Sequence, residues 1–208
     1  MLRVGLTGGV ACGKSVVGSM FVELGAHLLQ ADAVAHELMQ PGKPVYNDVV
    51  RHFGPEIVNA DGSINRPRLA ELAFGNGRVE ELNRLVHPAV IARQEEWLAE
   101  MAREDPAGVA IVEAALILEA GVGRRFDKMV VVTCRPEQKI ERFAARQGID
   151  PEAARSEVQR RQAAQWPDLE KIAAADYVID NSGALDATRA HVERVYAELR
   201  SLAASGAR

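Results

Sequence analysis

The run "GGVACGKS", residues 8–15, constrains this chain more than any other segment. It satisfies G-x-x-x-x-G-K-[ST], and its surroundings are those the pattern needs: "RVGLT" before it reads as a strand and "KSVVGSMFVEL" after it reads as a helix. Glycines in such a loop let the backbone fold tightly and aim its amides at phosphate oxygens. The new helix adds unpaired N–H groups and the positive end of its dipole. Lys14 is placed to reach β- and γ-phosphates and the Ser15 hydroxyl to bind Mg²⁺. A glycine-rich turn that merely joins strand to helix is the alternative, and the flanking elements weigh against it.

Short apolar runs recur at residues 3–7, 26–29, 108–118, 128–134 and 176–180, most of them followed by helical periodicity. Runs that are apolar on successive residues suit strands buried on both faces, and their alternation with helices predicts an α/β fold with a parallel sheet. At 208 residues, one folding unit is expected. Two regions break the rhythm. From about 41 to 105 no strand is expected; "RPRLAELAF" and "RVEELNRLVHPAVIARQEEWLAEMA" read as helices, a helical insertion. From about 142 to 166 the chain is rich in Arg, Gln, Glu and Ala, the pattern of a helical lid over solvent. The last helix places Leu185, Thr188, Val192, Val195, Tyr196, Leu199 and Leu202 on one stripe, expected to pack on the sheet. The core then comprises about 1–40, 106–141 and 167–208.

Charge and cysteine content exclude several classes. With 25 basic and 29 acidic residues interleaved, the net charge is −4, so no sequence-wide positive field is present to hold nucleic acid. The two cysteines, Cys12 and Cys134, have neither a CxxC nor a Cys/His zinc spacing. No leader-like opening and no apolar window approaching about 18 residues occurs. A soluble protein of the reducing cytoplasm is expected, with no membrane partner. Nothing in the pattern specifies an oligomeric state.

A phosphate cradle identifies a nucleotide and leaves the reaction open. No N-K-x-D or T-K-x-D element accompanies it, which argues against a switch GTPase. For an ATP-driven machine, Glu113 in "AIVEAA" is a single candidate acid, without a second long half to the chain. A small-molecule kinase is favoured. In that light Asp32 stands out, because it follows the second apolar run and so lies at the sheet edge where ligands of such folds bind. A carboxylate there can hold a substrate hydroxyl in line with a γ-phosphate and accept its proton late. It can equally be a helix N-cap, and spacing alone leaves the two readings balanced.

The ordered series "VGLTGGVACGKSVV", "ADAVAHELMQPG", "HFGPEIVNADGSINRPRLAELAF", "LNRLVHPAV", "ALILEAG", "VVVTCRPEQKIERFAAR" and "ADYVIDNSG" resembles the dephospho-CoA kinase family from Leu2 to about Leu199. The resemblance implies a P-loop, nucleoside-monophosphate-kinase-like three-layer fold with a mostly parallel five-stranded sheet. It also implies transfer of the ATP γ-phosphate to the ribose 3′-hydroxyl of dephospho-coenzyme A, with Mg²⁺. By resemblance, Gly8, Gly9, Val10, Ala11, Cys12, Gly13, Lys14, Ser15 and Val16 contact ATP, and Asp32 matches the catalytic aspartate. Arg66 and His87 match acceptor-side positions in the insertion; a solvated charge and a packed helix junction are their plainer readings. Arg142 and Arg146, one helical turn apart, match lid arginines that act on the transferring phosphoryl group or on adenine; a solubilising face paired with Glu141 is the alternative. Asn181 lies in the loop expected beside adenine. A kinase for another nucleotide or small alcohol, or a nucleotide-binding module without transfer, are the competing readings.

Four positions depart from the family pattern: Gln30 replaces an acid, Val16 a threonine, Ala115 a proline, and Cys12 a serine or glycine. Gln30 removes an outer-sphere metal ligand and Val16 a hydroxyl near the α-phosphate. At a helix start beside phosphates, the Cys12 thiol is either acidified and oxidisable or an inert small residue, and the inert reading is favoured.

Overall fold

In the computed structural model, which describes residues 1–75 and 77–206, the apolar runs form a five-stranded sheet of order β2-β3-β1-β4-β5. The strands are β1 (Leu2–Gly8), β2 (His27–Gln30), β3 (Val109–Glu113), β4 (Lys128–Thr133) and β5 (Tyr177–Asp180). Central β1 pairs in parallel with β3, from Leu2 opposite Val109 to Leu6 opposite Glu113, and with β4 on its other side; β4 pairs in parallel with β5. Val4, Leu6, Val109, Ile111, Val130 and Val132 are fully buried, as a sheet covered on both faces requires.

The helices are α1 (Lys14–Glu23), α2 (Ala31–Leu38), α3 (Pro44–Phe53), α4 (Arg66–Gly75), α5 (Val79–Glu104), α6 (Pro136–Gln147), α7 (Pro151–Ala163), α8 (Asp168–Ala173) and α9 (Leu185–Gly206). The chain divides into two compact units, Met1–Leu29 with Glu100–Arg208, and Gln30–Ala99.

In the first unit, α1 and α9 pack together and on β1. The α9 stripe buries Thr188, Val192, Val195, Tyr196, Leu199 and Ala203. Leu185 and Leu202, expected on that stripe, are 56% and 37% exposed. Each fully buried Val or Leu on the stripe contributes roughly 1.5–3 kcal/mol, so its middle anchors the helix. The apolar run expected to be a strand through residue 118 stops being one at Glu113. Ile117 and Leu118 are buried from a turn instead, an ambiguity that continuous apolar runs always carry.

The segment from 142 to 166, expected to lie over solvent, is less solvated than its composition suggests. Ala154 and Val158 of α7 pack with Phe143 of α6 around Val10 of the phosphate loop, forming a small core of their own. On its outer face Glu157 is held by Arg160 and Arg161, whose hydrogen bonds pull its carboxyl down to about 2, Arg160 being the larger cause. The return from α7 to α8 is tied to the turn after β3. There Glu119 Oε1 accepts the Trp166 N–H at 2.9 Å and lies 2.7 Å from the buried Lys171 Nζ, off the hydrogen-bond direction, so that contact is ionic.

In the second unit, α5 buries Val86, Val90, Gln94 and Leu98 at strict four-residue steps and runs through Pro88. Glu81 at its start lies 2.5 Å from His52 Nε2 and accepts Arg78 Nε at 2.9 Å, while the Arg78 guanidinium sits 4.7 Å over the Phe53 ring. These contacts fasten α3 to α5. An isolated antiparallel bridge joins Val58 and Ile64, and among the described residues from 41 to 105 there is no strand.

Cys12 and Cys134 belong to the main core, and burial is the largest cause pushing both thiols above their usual pKa. The acidified-thiol reading of Cys12 is thereby set aside. Neither thiol of the native protein should react appreciably with an aromatic disulfide reagent at pH 8 within minutes, whereas both should react promptly in denaturant. Prompt native labelling would contradict this packing.

Candidate active site

The phosphate loop runs from the end of β1 into α1, and its backbone departs from ordinary conformations at three places. Ala11 has φ +54°, Gly13 has φ +94°, and Gly8 has φ +152°. At Gly13 a side chain is excluded twice, by the left-handed backbone and because a Cβ would overlap the Asn181 carboxamide; at Gly8 a Cβ would overlap the Val132 carbonyl. The first bond of the α1 ladder is Val17 N–H to the Gly13 carbonyl, at 3.1 Å. The N–H groups of Lys14, Ser15 and Val16 therefore precede the ladder and, with the dipole, form an anion-binding end. Lys14 folds back so that Nζ donates to the carbonyls of Gly8 (3.1 Å) and Gly9 (3.0 Å), which places its charge over the loop.

Three residues from distant segments brace this loop. The Asn181 side chain, buried just past β5, donates from Nδ2 to the Cys12 carbonyl at 3.0 Å and accepts from the Thr188 hydroxyl at 3.1 Å. Arg142 on α6 donates to the Cys12 carbonyl at 3.4 Å and to the Asn181 carbonyl at 2.9 Å. The Ser15 hydroxyl donates to Glu113 Oε1 at 2.8 Å. Glu113, weighed from sequence only as a possible acid of an ATP-driven machine, thus closes β3 beside the P-loop serine. Ala115 accepts from the Thr7 hydroxyl through its carbonyl at 3.3 Å, a contact a proline there also allows. Val16 is 45% exposed on α1.

Arg142 and Arg146, expected to share a face, have different partners. Arg142 reaches the loop, while Arg146 stacks at 5.5 Å on Phe143, whose ring Arg161 also covers.

The remaining candidates lie in the second unit. Asp32 is an exposed residue in the first turn of α2, where its charge suits the helix dipole. It is not the N-cap: that position is Gln30, in extended conformation and without a side-chain cap. The capping alternative for Asp32 therefore falls away. One turn along α2 is His36, which sequence reasoning missed although an i, i+4 spacing from Asp32 was there to find. Its pKa is drawn below the usual histidine range, first by partial desolvation and then by Arg66, with Asp32 pulling the other way. Asp32, His36 and Arg66 therefore share one electrostatic neighbourhood. His87 lies half-buried on α5, and burial lowers its pKa below the usual histidine range, which favours the neutral imidazole.

The sequence profile of the dephospho-CoA kinase family matches residues 2–187. The chain is 40% identical to a dephospho-CoA kinase of Syntrophotalea carbinolica over 96% of its own length and 92% of the relative. It is also 40% identical to one of Aquifex aeolicus, over 96% of this chain and 98% of that one. Among solved structures, a Thermus thermophilus protein superposes with a TM-score of 0.79 at 31% identity, covering 95% of this chain and 97% of that one. A shikimate kinase of Bacteroides thetaiotaomicron shares the fold alone, with a TM-score of 0.51 at 16% identity over 95% of this chain and 98% of that one. With a profile spanning nearly the whole chain and relatives that are covered almost end to end, the chain belongs to the dephospho-CoA kinase family.

Proposed function

We propose that this protein transfers the γ-phosphate of ATP to the ribose 3′-hydroxyl of dephospho-coenzyme A, yielding coenzyme A and ADP, the last step of coenzyme A synthesis. The observation that carries the reading is the braced phosphate loop, with Lys14, Arg142 and Asn181 gathered on it. Phosphoryl transfer asks a protein mainly for positioning and charge neutralisation. Gly8 to Val16 cradle the phosphates, Lys14 pairs with the β- and γ-oxygens, and Arg142 neutralises charge that spreads over the phosphoryl group in the transition state. Asp32 accepts a hydrogen bond from the acceptor hydroxyl and takes its proton late. Arg66 and His87 serve the acceptor, Arg66 as the cation for its phosphate groups. Arg146 and Asn181 lie on the adenine side.

The Ser15 hydroxyl and the Glu113 carboxylate are hard oxygen donors 2.8 Å apart, and they fit Mg²⁺, which takes few protein ligands and completes its shell with phosphates and water. Among the described residues there is no cluster of three or more acidic, histidine or cysteine side chains that could cage a metal alone, so Ser15 and Glu113 would hold the ion only together with the nucleotide. With the ion held by Ser15 and Glu113, it would supply charge neutralisation to the nucleotide phosphates. Among the described residues no helix is long and apolar enough to cross a membrane, and both cysteines are free; the cytoplasm is the proposed location.

ADP release measured with dephospho-coenzyme A against a panel of nucleosides and small alcohols tests the acceptor. Turnover with dephospho-coenzyme A at least 100-fold above every other acceptor is expected, and turnover at background would remove the reading. Two variants separate the roles. Lys14→Ala should lose about 100-fold or more in kcat and clearly weaken ATP binding, whereas Asp32→Asn should lose a similar factor in kcat with the KM for ATP within about threefold. An Asp32→Asn enzyme with near-normal kcat would remove the catalytic role of Asp32.

A further inference from the structure

Gly9 is the one loop glycine whose requirement is not conformational. Its φ is not in the left-handed region, yet a Cβ there would come within 2.9 Å of Lys139 Nζ and 3.0 Å of Asp168 Oδ1. An ammonium and a carboxylate thus occupy the space that a side chain at residue 9 of the phosphate cradle would need. Lys139 belongs to α6 and its side chain is only 1% exposed; Asp168, the first residue of α8, pairs with it and is 38% exposed. Lysine is almost never buried this deeply without a reason, because removing its charge from water is costly and a single half-exposed carboxylate offsets that only in part.

The placement of Lys139 on α6 follows a pattern. Lys139, Arg142 and Phe143 lie on one helical face, and each meets a different part of the loop: Lys139 at Gly9, Arg142 at the Cys12 carbonyl, Phe143 against Val10. The whole face of α6 is therefore a wall of the cradle, with two cations on it. Lys14 approaches Gly9 by its carbonyl at 3.0 Å, and Lys139 approaches it on the α-carbon side. Both charges reach the Cys12 side chain, where each favours the thiolate against the larger effect of burial. An ammonium has three N–H donors, and among the described residues Asp168 takes one of those on Lys139.

Resting on the kinase reading above, we propose that Lys139 is a further polyphosphate-binding cation of the cradle, beside Lys14 and Arg142, and that Asp168 is a positioning residue holding its ammonium against Gly9. The ligand is the diphosphate portion shared by ATP and ADP. A tether between α6 and α8 with no role toward nucleotide is the competing explanation. It predicts changes in stability without selectivity among nucleotides.

The test is calorimetric binding of ATP, ADP and AMP to the wild type and to Lys139→Met, Lys139→Arg and the double variant Lys139→Met/Asp168→Asn. Loss of one charge-assisted contact should weaken ATP and ADP by about tenfold in Lys139→Met and leave AMP within about twofold. Lys139→Arg should recover most of the ATP affinity. The double variant removes both charges and so leaves no unpaired carboxylate; it carries the comparison if Lys139→Met does not fold, and it should remain weak for ATP. ATP and ADP affinities within twofold of wild type in a folded variant, or an equal loss for AMP, would overturn the proposal. Nucleotide binding is read without the acceptor, so a failure of the dephospho-coenzyme A reading would show separately, as wild-type protein that binds ATP normally but does not phosphorylate that acceptor.

Discussion

The carboxamide of Asn181 is the contact on which the nucleotide end of the molecule depends. It ties the loop after β5 to the Cys12 carbonyl, and Thr188 at the start of α9 fixes its orientation, while the main-chain carbonyl of the same residue accepts from Arg142. Because it lies where a Cβ on Gly13 would go, it also demands glycine at the N-cap of α1. One residue therefore connects the first strand–helix unit, α6 and the last strand. A buried amide with its donor and acceptor both satisfied is costly to disturb, which suits a loop that must present its N–H groups already in place.

The consequence for chemistry is preorganisation. Donors aimed at phosphate oxygens before nucleotide arrives need no rearrangement when charge shifts in the transition state. The small core of Val10, Phe143, Ala154 and Val158 adds to this, since α6 and α7 are packed on the loop by apolar contact and their cations are carried there with them. The arginines of α6 and α7 then divide their work, Arg142 on the loop and Arg146 and Arg161 over the Phe143 ring.

The parts of the fold legible in the sequence were those set by local spacing. The P-loop pattern needs its glycines at fixed offsets, and α9 needs a 3.6-residue stripe, so both could be read directly. The strand run from 108 to 118 was read too long because apolar continuity does not distinguish a strand from the buried turn that follows Glu113. At the site, Glu113 and Ser15 are 98 residues apart, Asn181 and Cys12 169 apart, and no local signal joins them. Asn181 was reached only by resemblance, as an adenine-loop residue; that it braces Cys12 and Gly13 is visible only in the fold. Asp32 shows the opposite limit: the acid was conspicuous, but whether it capped α2 depended on the helix starting two residues earlier than a cap at Asp32 requires, and sequence does not fix that phase.

The most direct measurement of the central claim is the ATP affinity of an Asn181→Ala variant. The side chain touches the loop backbone at Cys12, so its effect on ATP reports whether the loop is held ready. The account predicts that Kd for ATP rises by about tenfold or more while the far-UV spectrum stays native and a cooperative unfolding transition remains. An Asn181→Ala protein that binds ATP as tightly as the wild type would contradict it.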